Sequence, residues 1–209
     1  MFNYLKLTKI TLFFIGFISF SLNFTVLAQN VAPEVKLSSQ EQTNLNQGKV
    51  ILKGKKGDYL GQVLATGNLD TAWQVLTDYN NFHSFMPNIA SSKIVVDRGD
   101  RKIFEQVNVV DLLFFKEKFT VQIEAKETKP YKVDFQQFQG DLKSLSGTWQ
   151  VKQVNSRQIL VTHRVKVEPE SNTEKPFFYG IYESSLENTL KAIAQEITQR
   201  SQSSKAISY

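Results

Sequence analysis

The sequence predicts an α+β domain in which a run of antiparallel strands is closed by one long C-terminal helix. Three observations carry this. Successive short segments between residues 92 and 168 alternate apolar and polar side chains, as strands do when one face of a sheet is buried. Ile181, Leu186, Leu190, Ile193 and Ile197 recur at spacings of five, four, three and four, which draws one apolar stripe along a helix. Helical signals lie before and after the strands and do not alternate with them, and that segregation means α+β and not a parallel α/β sheet.

The N-terminal 28 residues are read apart from the fold. Lys6 and Lys9 precede an apolar run over residues 10–20, and Val26-Leu27-Ala28 stands before Gln29. This is the order of a secretory signal peptide, so the chain is expected to be exported to a periplasm, lumen or external space. The other reading is an uncleaved membrane anchor, for which the run is short against the roughly 20 residues a span needs. Removing residues 1–28 takes two lysines and no acids, so the net charge of +5 becomes +3. A charge that small does not point to nucleic acid. With no cysteine among 209 residues, disulfide frameworks, thiol nucleophiles and cysteine-ligated metals are excluded. Two histidines leave little for a histidine-only metal site, and no cofactor is implied. Of the sixteen phenylalanines, Phe2, Phe13, Phe14, Phe17, Phe20 and Phe24 belong to the leader.

Residues 29–48 are polar and lack aromatics, which predicts a flexible tether that buries too little to order itself. A single domain is expected over 49–200, with 201–209 a frayed tail. Within the domain, 58–66 reads as a strand. Asn68 is placed to cap a short helix over 69–77, with Asp70 in its first turn. Residues 78–86 form a second helical or turn element, closed by Pro87. Strands follow at 92–97 and 101–110, the latter with Ile103, Glu105, Val107 and Val109 read as one face. Residues 117–125 put Phe119, Val121 and Ile123 on one face, and 131–139 put Tyr131, Val133 and Phe135 together. Residues 142–153 align Leu145, Gly147, Trp149 and Val151, and 158–168 align Ile159, Val161, His163, Val165 and Val167. The final helix is expected over 178–200, with Glu187 and Lys191 an i,i+4 pair on its polar side.

Several of these segments are similar to a known family. Residues Ala72 to Phe82 (AWQVLTDYNNF) followed by Phe85-Met86-Pro87-Asn88, then Phe138-Gln139-Gly140 with Leu142 to Trp149 (LKSLSGTW), then Val161-Thr162-His163-Arg164-Val165 and Val167-Glu168-Pro169, resemble the START-like superfamily. The closer resemblance is to its polyketide cyclase/dehydrase and coenzyme-Q-binding START group, over about residues 50–200. The resemblance implies a helix-grip fold: a curved antiparallel sheet wrapped around the C-terminal helix, with an apolar cavity between them. It also implies apolar ligands such as a lipid, a quinone or an isoprenoid, with catalysis in some members only.

The candidate ligand-binding residues are Phe85, Phe119, Val121, Phe135, Trp149, His163 and Leu190. Two readings stand for Trp149, an ordinary core tryptophan or a pocket wall. His163 is either a buried, internally satisfied histidine or a polar group at the cavity floor that bonds a ligand carbonyl or acts as acid or base. Glu105 is either a cavity carboxylate with a raised pKa or a strand-end acid in water, and His83 is expected at the rim or in solvent. The run Leu112-Leu113-Phe114-Phe115 is apolar where a turn should be polar, with Lys116 and Lys118 behind it. It is either a hairpin tip at the cavity mouth that meets a membrane surface or strand residues packed inside. Phe178 is expected to line the same mouth, or to act with Phe177 and Tyr179 as a hydrophobic staple before the helix. The expected function is an exported carrier of an apolar ligand. The alternative is an aromatase/cyclase-type enzyme acting on a polyketide-like substrate through His163.

Overall fold

The computed structural model describes residues 37–112, 115–170 and 175–206. Residues 1–36, with the leader and the first eight residues of the expected tether, lie outside them, as do Leu113 and Phe114. The described strands are β1 Ile51–Lys55, β2 Asp58–Thr66, β3 Ile89–Arg98, β4 Arg101–Leu112, β5 Phe115–Thr128, β6 Lys132–Gly140, β7 Leu142–Asn155 and β8 Gln158–Pro169. The helices are α1 Ser39–Asn46, α2 Leu69–Leu76, α3 Phe82–Phe85 and α4 Lys175–Ala206, with a 3-10 turn at Tyr79–Asn81. The strands form one antiparallel sheet in the order β1-β2-β8-β7-β6-β5-β4-β3. Its curved inner face meets α4 in the helix-grip arrangement.

Local chemistry accounts for most boundaries. Asn68 Oδ1 accepts the N–H of Thr71 at 2.9 Å, which starts α2. In the two-residue turn joining β1 to β2, Lys56 and Gly57 both have positive φ, 55° and 89°, and that backbone twist suits a tight hairpin. Side chains alternate as expected along β8: Ile159, Val161, His163, Val165 and Val167 are all buried.

Three expectations about extent are corrected. Part of the expected tether is the helix α1. Ser38 Oγ accepts the N–H of Glu41 while Glu41 Oε2 accepts the N–H of Ser38, a capping box. Leu45 of this helix is 1% exposed, and Glu41 reaches Lys53 of β1 at 2.7 Å. That lysine first, and the Ser38 N–H second, hold the Glu41 carboxyl at about 2. Polar composition hid a helix whose order comes from its cap and from packing on β1 and β2. The frayed tail is likewise helical to Ala206, and Ser201 is buried against Gly67. The last helix also begins at Lys175 and not at 178, because Pro176 is tolerated in a first turn.

Two face assignments change as well. Tyr131 sits in the β5–β6 turn, 52% exposed, and does not share the inner face with Val133 and Phe135. On β4 the inward residues are Phe104 and Gln106, both buried, and not Ile103, Glu105, Val107 and Val109. Pairing with β5 sets that phase: Phe104 faces Ile123 and Gln106 faces Val121, both inward.

Candidate functional site

The inner face of the sheet is not filled along its whole length. The C-terminal half of α4 sits on β2, where Gly61 leaves room for Leu190, and on the residue that follows the strand, where Gly67 leaves room for Ile197. Its N-terminal half stands away from β5, β6 and β7. Between them lies a cavity of about 670 Å³. Its inner walls include Phe104, Val121, Ile123, Val133, Phe135, Trp149 and His163; Phe178, Ile181, Tyr182 and Leu186 of α4 close it from above. The volume and the predominance of apolar side chains suit a small-molecule site.

His163 is the best-defined polar group in this wall. It is 4% exposed and lies directly opposite Trp149 in the β7–β8 register. The two rings stack at 3.6 Å between centroids and 15° between planes. Phe135 lies on the imidazole at 5.6 Å and 20°. Phe135 has space for this because it passes over Gly147, where a Cβ would come within 2.7 Å of its ring. His163 Nδ1 is 3.2 Å from the carbonyl oxygen of Thr148. A carbonyl only accepts, so the hydrogen sits on Nδ1 and Nε2 carries a lone pair. Burial, only partly opposed by that hydrogen bond, holds the imidazole pKa at about 3. The ring is therefore neutral at physiological pH.

Other polar groups lie at different depths. His163 and Trp149 share a rung with Val133 and Glu127, close to the β5–β6 turn. Gln106 is paired with Val121, six residues further along β5. It is 9% exposed, lines the cavity, and has no side-chain hydrogen bond among the described residues. The hydroxyl of Tyr79 is buried without a hydrogen-bond partner among the described residues. Burial first, and Glu127 second, push that phenol upward, while burial raises the Glu127 carboxyl. At the mouth stand Lys118, Asp141 and Glu170, with Phe177 57% exposed beside Phe178.

Of the expected ligand-binding residues, the structure brings Phe119, Val121, Phe135, Trp149 and His163 together around this cavity, with Phe178. Two are not there. Leu190 is fully buried against Gly61 and does not line this cavity. Phe85 packs edge-on to Phe82 and lies under the Arg200 guanidinium at 5.5 Å. Glu105 is no raised-pKa cavity acid: Gln122 at 3.0 Å and Lys93 at 3.2 Å lower its carboxyl on the outer face. His83 is exposed and does not line the cavity. The staple reading of Phe177 and Phe178 fails because both lie inside the helix. In the apolar run, Leu112 pairs with Phe115 as the last described rung between β4 and β5, and Leu113 and Phe114 are outside the described residues. The sequence reading missed Gln106, Tyr79 and Tyr182. The strand phase of β4 was the one signal for Gln106, and the apolar residues of its outer face masked it.

Comparison with known proteins bears on this geometry. Residues 68–193, more than half of the chain, match the family described as polyketide cyclase / dehydrase and lipid transport. None of the curated proteins compared matches the sequence. Among solved structures, a START superfamily protein from Mycobacterium smegmatis superposes with a TM-score of 0.59 at 14% identity, covering 73% of this chain and 99% of its own. A STAR-related lipid transfer protein fragment from Xanthomonas axonopodis gives 0.58 at 15% identity, covering 71% and 92%. The Zhui aromatase/cyclase from Streptomyces sp. R1128 gives 0.56 at 14%, covering 72% and 95%. At these identities the likeness is one of fold.

Proposed function

Because the chain belongs to the polyketide cyclase/dehydrase and lipid transport family, we propose that it binds and carries an apolar ligand (a lipid, quinone or isoprenoid-like molecule) in the cavity beneath α4. The observation that carries this is the cavity itself: about 670 Å³, walled mainly by apolar and aromatic side chains, with a charged mouth. An apolar molecule entering it leaves water at roughly 25 cal/mol per Å² of buried apolar surface. One buried titratable side chain of its wall, His163, is wedged between two rings with one nitrogen tied to the backbone. That arrangement suits a wall better than a mobile proton shuttle. Export through residues 1–28 is part of the proposal, supported by the order of charge, apolar run and small residues in that segment. So is approach of the mouth to a membrane surface, supported by exposed Phe177 and by Lys118 beside the cavity.

The test is extraction of the purified full chain followed by mass spectrometry of its small molecules, with titration of lipid and quinone panels. A co-purifying apolar compound, or saturable binding, is expected. An empty cavity that takes up no member of either panel overturns the reading. One feature favours a second reading, an aromatase/cyclase-type enzyme: the unprotonated Nε2 of His163 is a base inside an apolar cavity. Under that reading His163→Phe lowers turnover of a polyketide-like substrate by roughly 10²–10⁴-fold. Under the carrier reading it leaves most of the binding in place.

A further inference from the structure

Resting on the cavity reading above, we infer that the ligand presents a hydrogen-bond donor, an alcohol or phenol hydroxyl, to Nε2 of His163. The geometry is specific about direction. Nδ1 is 3.2 Å from the Thr148 carbonyl oxygen, which can only accept, so Nδ1 holds the proton. Nε2 is then an acceptor. Among the described residues it has no protein partner, and it is not among the sealed, unpaired polar atoms of the core. His163 is 4% exposed and lines the cavity, so the open side of Nε2 is the cavity.

The alternative tautomer would break the bond to Thr148. The charged form, which donates from both nitrogens, is suppressed by burial, with the pKa held at about 3. Trp149 at 3.6 Å and Phe135 at 5.6 Å sandwich the ring and hinder a flip. A ligand with only carbonyl or ether oxygens at this depth sets two lone pairs against each other. A hydroxyl satisfies the buried acceptor, and leaving a buried polar group unpaired is costly. This reverses the expectation that His163 donates to a ligand carbonyl. It also separates hydroxylated apolar ligands from quinones.

The experiment is fluorescence titration of the full chain with 1-pyrenebutanol, with its methyl ether, and with a 2-alkyl-1,4-naphthoquinone as the acceptor-only probe. The alcohol is expected to bind about tenfold more tightly than the ether, the upper range for one net hydrogen bond. His163→Phe should bring the two within about twofold by weakening the alcohol alone. His163→Gln, whose amide can both accept and donate, should keep alcohol binding and improve quinone binding. Nitrogen-15 NMR of the imidazole in the unsubstituted protein is expected to show Nδ1 protonated and Nε2 bare. The Nε2 signal should move with the alcohol and stay with the ether, and this readout stands if the Phe variant fails to fold.

Equal affinity for alcohol and ether overturns the donor inference and leaves the carrier reading intact. An alcohol preference that survives in His163→Phe assigns the acceptor elsewhere and overturns the role of His163. Failure to bind any of the three probes overturns the donor inference, while the carrier reading is decided separately by the lipid and quinone panels.

Discussion

The two halves of α4 belong to one helix and one apolar stripe, yet they do opposite things. From Leu190 onward the stripe is fully buried: Leu190, Ile193 and Ile197 are each 0% exposed. Leu190 lies on Gly61 of β2 and Ile197 on Gly67 just after it, glycines that put hydrogens where other residues would put a Cβ. Before Leu190, the same helix carries Phe178, Ile181, Tyr182 and Leu186 over open volume. Opposite them the sheet presents Phe135, Trp149 and His163, whose stacked rings meet one another instead of reaching the helix. Small residues under one half bring it down. Large aromatic residues under the other half form a floor and a wall, and the space between is the site. An apolar stripe therefore says that a helix is buried, and its partner surface decides whether it is buried against protein or against a ligand.

Substitutions on the two halves break or sharpen this contrast. The largest effect is expected for Ile193→Ala in the seated half, a loss of about 2–5 kcal/mol in chemical denaturation, because the surrounding core cannot collapse into the hole. Leu186→Ala, 5% exposed beside existing space, should cost less, at about 2 kcal/mol, the low end of that range. A larger loss at Leu186 than at Ile193 would erase the distinction between the halves. Gly61→Val tests the seat directly. Its new Cβ meets Leu190 Cδ1, and overpacking of a buried contact costs about 1–3 kcal/mol. Unchanged stability would mean that α4 does not rest there.

The cavity half should also carry a pH signature. His163 titrates near 6.5 when unfolded and at about 3 when folded. Between those values the unfolded chain binds the extra proton, so folding stability is complete above pH 6.5 and falls as the pH drops toward 3. The slope is at most about 1.4 kcal/mol per pH unit for one proton. Denaturation midpoints between pH 6.5 and 5 should follow this slope, and His163→Phe should flatten it. Phe177→Ser is expected to have the smallest effect on stability, within about 0.5 kcal/mol, because the side chain is mostly exposed. The same change should reduce flotation with anionic liposomes, and undiminished flotation would remove Phe177 from the membrane-facing mouth.

Local signals in the sequence were legible wherever one residue's chemistry settles a boundary. Asn68 capped α2 as read, and β8 kept its inner face because its alternation is unbroken. The Glu187–Lys191 pair formed at 2.6 Å. The capping box Ser38-Ser39-Gln40-Glu41 went unread, because the polar composition around it argued for a tether. On β4 alternation was ambiguous, since Ile103, Val107 and Val109 are apolar on the outer face while Gln106 is polar on the inner one. Only pairing with β5 resolves that phase.

By itself, the sequence determined the α+β class, the long closing helix, the buried histidine on β8 and the family. Each of these follows from periodicity or from residues close together in the chain. Tertiary structure decided the rest. It joined β2 to β8 along Asp58↔Lys166 to Thr66↔Gln158, a pairing across about a hundred residues that no local pattern encodes. It sent Leu190 and Phe85 away from the cavity and brought Gln106 into it. It also set the Thr148 carbonyl against Nδ1 of His163, and so determined that this histidine accepts from whatever enters the cavity. The physical reason is common to all of these: periodicity tells a side chain which way to face, and only the three-dimensional neighbour tells it what it meets.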